Sequence, residues 1–331
     1  MKKPKGLFVA DAWRVIYDDP TIEAIRELVD IYDKPYKREE ILQNPAILAD
    51  CEIIFSGWGC PVMDEAFLRH APKLKMVFYG AGSVKCFVTD AMWERGIRVC
   101  SAWGANALPV AEYTLANILL ALKGVPRVTR RFTASRGAQR YDITPAGGFG
   151  STVGIVSTGM IGRRVIELLR PFSVRVVAYD PFLSEAEAAA LGVRKVSLEE
   201  LFATADVVSL HTPNLAETKG MITGELIASM KRGATLINSA RGAVIDEPRM
   251  IEVLREREDL QAVLDVTDPE PPLPDSPLWE LPNVWLTPHI AGSIGPECAR
   301  HGVYMLEECR RYLAGEPMQW ELTREKVKHM A

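Results

Sequence analysis

The stretch Thr152-Val153-Gly154-Ile155-Val156-Ser157-Thr158-Gly159-Met160-Ile161-Gly162 is a β-rich run that passes directly into a helical pattern over Met160–Leu169. It nearly reproduces the spacing G-x-G-x-x-G, with Ser157 standing where the first glycine normally sits. The chemistry such a turn supports is anion binding. A tight turn lets the backbone at Gly159 approach a pyrophosphate, and the first helical amides, at Met160 and Ile161, lie at the positive end of the helix dipole. Gly162 lets helix and strand pack closely. Ser157 has to adopt a turn conformation that glycine takes without strain. A second β-rich run, residues 174–179, ends in Asp180. A carboxylate there can accept from both ribose hydroxyls and repels a 2′-phosphate, which predicts NAD rather than NADP. A lone glycine turn starts many helices. Strand, turn, helix and acid in this order favour a dinucleotide site.

Further segments follow in a fixed order: His211-Thr212-Pro213, Leu236-Ile237-Asn238-Ser239-Ala240-Arg241-Gly242, Leu264-Asp265-Val266 with Glu270-Pro271, and Thr287-Pro288-His289-Ile290-Ala291-Gly292. Gly80-Ala81-Gly82 and Asn106 with Val110-Ala111-Glu112 precede them. With the glycine turn, this set resembles the D-isomer-specific 2-hydroxyacid dehydrogenase family over essentially the whole chain, most strongly over residues 150–293. Each residue taken alone has a plainer reading: a structural histidine, a solvated glutamate, an arginine closing a turn. Their shared order is what makes the resemblance specific.

The resemblance implies that Arg241, Glu270 and His289 are the catalytic set. Oxidising a 2-hydroxy acid moves a hydride from C2 to a nicotinamide while a base removes the hydroxyl proton. His289 suits the acid/base role because imidazole titrates near neutral pH. Glu270 would hold the second ring nitrogen and fix the tautomer. Arg241 offers a planar fork to the substrate carboxylate and polarises the carbonyl. Backbone N–H groups at Ala81 and Gly82 would hold the carboxylate from the other domain. Asp265 would orient the nicotinamide or support Arg241. Thr212, Pro213, Thr218, Ser239 and Ala240 would line the cofactor site, as would Arg241 and His289. His70, His211, His301 and His329 carry no independent claim. The expected substrate is a small 2-hydroxy or 2-keto acid, its far wall built around Trp58, residues 79–83 and Trp103. A competing reading on the same fold is an NAD(H)-sensing, corepressor-like binding protein, which can keep the same residues. A formate-type dehydrogenase fits less well, because Glu270 resembles that branch poorly.

These residues need rigid elements to hold them. The chain has 331 residues, 48% of them hydrophobic and 25% charged, which suits two globular domains. A net charge of −4 gives nucleic acid or an anionic membrane no global attraction. Six cysteines without a C-x-x-C pair suggest neither a disulfide scaffold nor a metal ribbon. The apolar run 7–10 is too short for a secretory core, and the apolar stretch 110–125 is broken by Glu112, Asn117 and Lys123. Those features read as a cytoplasmic protein with no metal.

β-rich runs at 53–56, 76–79 and 97–100 alternate with helical patterns at 21–30 and 63–70. A long helix is expected over 108–122, with Pro109 in its first turn. A second series of runs follows at 152–157, 175–179, 207–211, 235–238, 262–266 and 284–287, and a mainly helical segment at 293–313. Alternation of this kind predicts an α/β fold with parallel sheets. The resemblance adds that both domains are Rossmann-like or flavodoxin-like. It places the NAD-binding domain (107–293) as an insertion in the substrate-binding domain (1–106 with 294–331), with a closing cleft between them. It also makes the long helix and the arm after it a homodimer element. Lys123, Arg127, Arg130, Arg131, Arg136 and Arg140 form a basic cluster, read as a solvated face or interface arm ahead of a phosphate-recognising patch.

Overall fold

The computed structural model describes residues 2–138 and 142–328; Arg140 and His329 lie outside them. The chain forms two compact units, Met1–Asn106 with Ser293–Met330, and Ala107–Gly292. It passes into the second unit along the helix Trp103–Leu122 and leaves it after Gly292.

In the first unit, strands β1 (Lys5–Val9), β2 (Asp30–Ile31), β3 (Ile53–Ser56), β4 (Met76–Tyr79) and β5 (Arg98–Ser101) pair in parallel in the order β5-β4-β3-β1-β2. This is the flavodoxin-like order. Strand β3 and strand β4 are buried along their whole length, as expected of a parallel sheet covered on both faces. Apolar layers pack on either side, one around Leu7, Ile54 and Val77, the other around Phe8, Phe55 and Phe78. Strand β1, weighed above only as a leader core, is the centre of that sheet's pairing with β2 and β3.

The second unit carries β6 (Thr152–Val156), β7 (Arg175–Tyr179), β8 (Arg194–Lys195), β9 (Val207–Leu210), β10 (Thr235–Asn238), β11 (Gln261–Leu264) and β12 (Val284–Leu286). Their order is β12-β11-β10-β9-β6-β7-β8, all parallel. This is a doubly wound sheet whose order reverses between β6 and β9, and such a sheet binds ligands beyond the carboxyl ends of its strands at that point. A last strand of the chain, β13 (Glu321–Leu322), pairs antiparallel to β5 and closes that edge of the first sheet.

Several expected strands end earlier than the sequence suggests. Ser157, His211, Asp265 and Thr287 all lie just outside the sheet. At each of these the chain turns out of the ladder, and the site is built from those turns. The long helix begins at Trp103 rather than near residue 108, so Pro109 lies inside it. Buried Ala105, Ala107, Val110 and Ala111 hold the segment helical although Pro109 has no N–H to give. The helix is apolar and long enough to cross a membrane by length and composition, but 56% of its most apolar window is buried.

The arm after Gly124 (φ +60°) is itself a helix, Val125–Ala134, with none of its residues buried. Its basic cluster has an acid just beyond it: Arg127 holds Asp142 through two 3.0 Å hydrogen bonds, and Arg131 reaches the same carboxylate. Those cations hold the Asp142 carboxyl at about 2, well below its usual range. Two of the arginines are therefore already paired, which weakens the phosphate-patch reading.

Gly162 shows how closely the β6 turn and its helix are packed. A Cβ there would lie 2.2 Å from the Ser157 carbonyl oxygen. Gly162→Ala is expected to cost about 1–3 kcal/mol by overpacking against backbone that cannot yield. Chemical denaturation measures it, and an unchanged midpoint would mean the helix shifts freely.

Candidate active site

Strand β6 ends at Val156, and Ser157 turns the chain with φ +75°, the left-handed conformation glycine would take without strain. Its N–H donates to the Tyr179 carbonyl at 2.7 Å, tying the turn to the end of β7. Asp180, 9% exposed, accepts from the Thr158 N–H (2.7 Å) and hydroxyl (3.1 Å) on one oxygen and from the Phe182 N–H (2.9 Å) on the other. The residue expected to meet a ribose therefore also holds the turn in shape. A carboxylate has about four acceptor positions, so it can do both.

Gly159 caps the helix Met160–Leu169 in an extended conformation, with no side-chain cap on the first amides. No atom lies within 4 Å of where its Cβ would be. Apart from its chain neighbours no described residue fills that space, and the amides of Met160 and Ile161 sit at the positive helix end beside it. Thr212 follows β9, and its buried hydroxyl has no partner among the described residues; the same is true of Nδ1 of His211. Burial holds His211 neutral, its pKa down to about 4, with Nε2 3.1 Å from the Ser209 hydroxyl. An open cradle at a helix N-terminus, an acid at the neighbouring strand end and an orphaned hydroxyl fit a dinucleotide.

Other expected lining residues have duties inside the protein. The Thr218 hydroxyl donates to the Pro213 carbonyl (2.6 Å) and accepts from the Leu215 N–H (2.9 Å), closing its own loop. The Ser239 hydroxyl pairs with that of Thr114 at 3.0 Å. Buried Asn238, which sequence reasoning passed over, bridges the turn after β10: its Oδ1 accepts from the Ala240 N–H and its Nδ2 donates to the Arg241 carbonyl. A Cβ on Gly242 would lie 2.0 Å from the Thr267 backbone. That contact packs the Arg241 turn directly against the segment leading to Glu270.

Arg241 donates to the Ala240 carbonyl at 2.6 Å and makes no ion pair among the described residues. Burial pushes its pKa down, while the Glu270 charge opposes that shift. A guanidinium stays charged even so, and a half-buried fork without a carboxylate partner is a site for one.

His289 and Glu270 are brought together. His289 Nδ1 lies 2.6 Å from Glu270 Oε1. The carboxylate accepts, so Nδ1 carries the hydrogen and Nε2 is left as the atom that can exchange a proton. Both side chains remain part-exposed, at 47% and 40%. His289 itself has φ +53° and donates its N–H to the Asp265 carbonyl at 2.9 Å.

Asp265 has a structural duty that the sequence did not show. It is 2% exposed and shares no hydrogen bond with Arg241 among the described residues. Its Oδ1 accepts from the Thr287 hydroxyl (2.6 Å) and the Ile290 N–H (2.8 Å), and its Oδ2 from the Ala291 N–H (2.8 Å). It holds the loop that carries His289. In the first unit, the Ala81 N–H already donates to the Tyr79 carbonyl at 2.9 Å, and the Ser101 hydroxyl reaches the carbonyls of Ala81 and Gly82. Elsewhere in the second unit a groove of about 1020 Å³ is lined by Arg170, Arg175, Arg194 and Lys231. It is shallow and lies at the strand starts, away from these groups. Among the described residues no three His, Cys, Asp or Glu side chains group as metal ligands.

Residues 115–291 match the family described as D-isomer specific 2-hydroxyacid dehydrogenase, NAD binding domain. The D-3-phosphoglycerate dehydrogenase of Mycobacterium tuberculosis (strain ATCC 25618 / H37Rv) is 37% identical over 298 residues, 89% of this chain and 55% of that protein. The chain thus spans little more than half the length of such relatives. Among solved structures, the TT0316 protein from Thermus thermophilus is 29% identical with a TM-score of 0.76, covering 96% of this chain and 100% of that one. The apo form of Rhodotorula graminis D-mandelate dehydrogenase, at 23% identity and a TM-score of 0.81 over 98% of each chain, shares the fold.

Asp180→Ala would leave the Thr158 and Phe182 amides without their acceptor. The expected loss is about 1–3 kcal/mol of stability, read by denaturant unfolding. No loss would mean that water replaces the carboxylate at no cost.

Proposed function

The chain belongs to the D-isomer specific 2-hydroxyacid dehydrogenase family, and we propose that it interconverts a D-2-hydroxy acid and its 2-keto acid with NAD. The observation that carries this reading is the 2.6 Å His289–Glu270 pair beside an arginine without a carboxylate partner. NAD, when bound, supplies the hydride acceptor for oxidation and, as NADH, the hydride donor for reduction.

The rest is done by the chain's own residues. Amides at Gly159, Met160 and Ile161 would hold the pyrophosphate and Asp180 the ribose hydroxyls, and Thr212 has an unpartnered hydroxyl to offer. The Arg241 fork takes the substrate carboxylate and polarises the carbonyl. In reduction, the Nε2–H of protonated His289 gives its proton to the carbonyl oxygen as hydride reaches C2; in oxidation, neutral Nε2 removes the hydroxyl proton as hydride leaves. Glu270 keeps Nδ1 protonated in both directions and offsets the charge of the imidazolium. In the Gly80-Ala81-Gly82 loop the Ala81 N–H is already engaged by the Tyr79 carbonyl, so the Gly82 N–H is the one assigned to the substrate carboxylate. The mycobacterial relative points to D-3-phosphoglycerate as one acid to include in a substrate panel. A homodimer belongs to this reading: the helix Val125–Ala134 buries none of its residues and leaves Phe132 half-exposed.

His289→Ala is expected to lower keto-acid reduction by about 10²- to 10⁴-fold with NADH affinity nearly intact. Stopped-flow turnover and NADH fluorescence titration read the two separately, and an undiminished rate removes the acid/base assignment. A panel of 2-keto acids compared by kcat/KM identifies the substrate. Tight NADH binding with no turnover on any of them would instead fit the sensing protein. Asp180→Ala is further expected to raise use of NADP relative to NAD; equal use of both by the unaltered protein would refute the ribose role.

A further inference from the structure

We propose that Tyr113 is a positioning residue for the His289–Glu270 pair, acting through Thr287 and Asp265. Its hydroxyl lies 2.8 Å from the Thr287 hydroxyl. Thr287 has one hydroxyl hydrogen, and that hydrogen points to Asp265 Oδ1 at 2.6 Å. Tyr113 must therefore be the donor, and the chain of bonds has one direction: Tyr113 to Thr287 to Asp265. Burial pushes the Tyr113 phenol up, with the Thr287 hydroxyl opposing the shift and Asp265 adding to it, so it keeps the proton it donates.

What lies at the far end is the backbone around His289. The same Asp265 carboxylate accepts from the N–H groups of Ile290 and Ala291, and the Asp265 carbonyl accepts from that of His289. His289 sits at φ +53°. A left-handed conformation is strained for a non-glycine residue and persists only where its surroundings impose it. Asp265 imposes it locally. Tyr113, on the helix Trp103–Leu122, anchors that carboxylate to a regular element. Donation by Tyr113 also polarises the Thr287 hydroxyl and strengthens its bond to Asp265. Without the phenol hydroxyl the loop can drift, and catalytic alignment is sensitive to drifts well under 1 Å.

This inference rests on the acid/base reading of His289, and its test separates the two. In the full-length protein, Tyr113→Phe and Thr287→Val are each expected to lower kcat about tenfold, with KM for NADH changed less than about twofold. The isotope effect with 4-deuterated NADH should rise, because the chemical step slows; a fraction of misfolded enzyme would leave it unchanged. Thr287→Ser keeps the hydroxyl and should restore near-normal rates. The double variant Y113F/T287V should be no slower than T287V alone, since both break one chain. Nitrogen NMR of His289, assigned by its loss in H289A, should show the ring signals shifted or broadened in Y113F whether or not the protein turns over a keto acid. Should the unaltered protein prove inactive while that signal still moves, the dehydrogenase reading falls and the positioning role of Tyr113 stands. Unchanged kcat, isotope effect and His289 signal in Y113F would overturn the proposal, as would losses that multiply in the double variant.

Discussion

A single buried carboxylate organises the site's most important loop. Asp265 leaves the end of β11 and accepts three hydrogen bonds from residues 287–291, while its carbonyl takes a fourth from His289. An ionised group with 2% exposure is tolerable only because donors converge on both oxygens. Those donors come from the very segment that must be placed. The cost of burying the charge and the rigidity of the loop are thus one arrangement. His289 then holds a left-handed backbone that the loop could not keep unaided, and its ring meets Glu270 at 2.6 Å.

The turn after β6 follows the same logic with a different acid. Asp180 gathers the Thr158 and Phe182 amides, and the turn it shapes carries a serine at φ +75° where glycine would be relaxed. The strain at Ser157 is local, because Gly162 still permits the close approach of helix to strand and Gly159 still leaves an open cradle. The departure from the glycine pattern therefore changes a turn residue and leaves the helix N-terminus beyond it open. Both acids sit at strand ends: Asp180 follows β7, next to β6 at the reversal in sheet order, and Asp265 follows β11, two strands beyond β9 on the other side. A doubly wound sheet leaves its crevice there, since the helices on either side of the reversal cover opposite faces.

Much of this was legible in the residues. The two parallel series, the glycine turn, Asp180 and the order of Arg241, Glu270 and His289 follow from periodicity and spacing joined to family resemblance. The errors cluster. Ser157, His211, Asp265 and Thr287 continue β-rich runs in the sequence, yet each turns out of the ladder. Pro109 was read as a helix start because proline favours the first turn, but burial of its neighbours outweighs the hydrogen bond it forfeits.

By itself the sequence determined which residue types exist and the succession of strands and helices along the chain, because those depend on local propensity and hydrophobic period. It could not say which oxygen meets which amide. That Asp265 holds the His289 loop, that the Thr218 hydroxyl closes its own loop, and that Tyr113 stands behind Thr287 were decided by the tertiary structure alone. Hydrogen bonds between residues far apart in the chain depend on how strands and helices pack, and spacing along one strand carries no record of it.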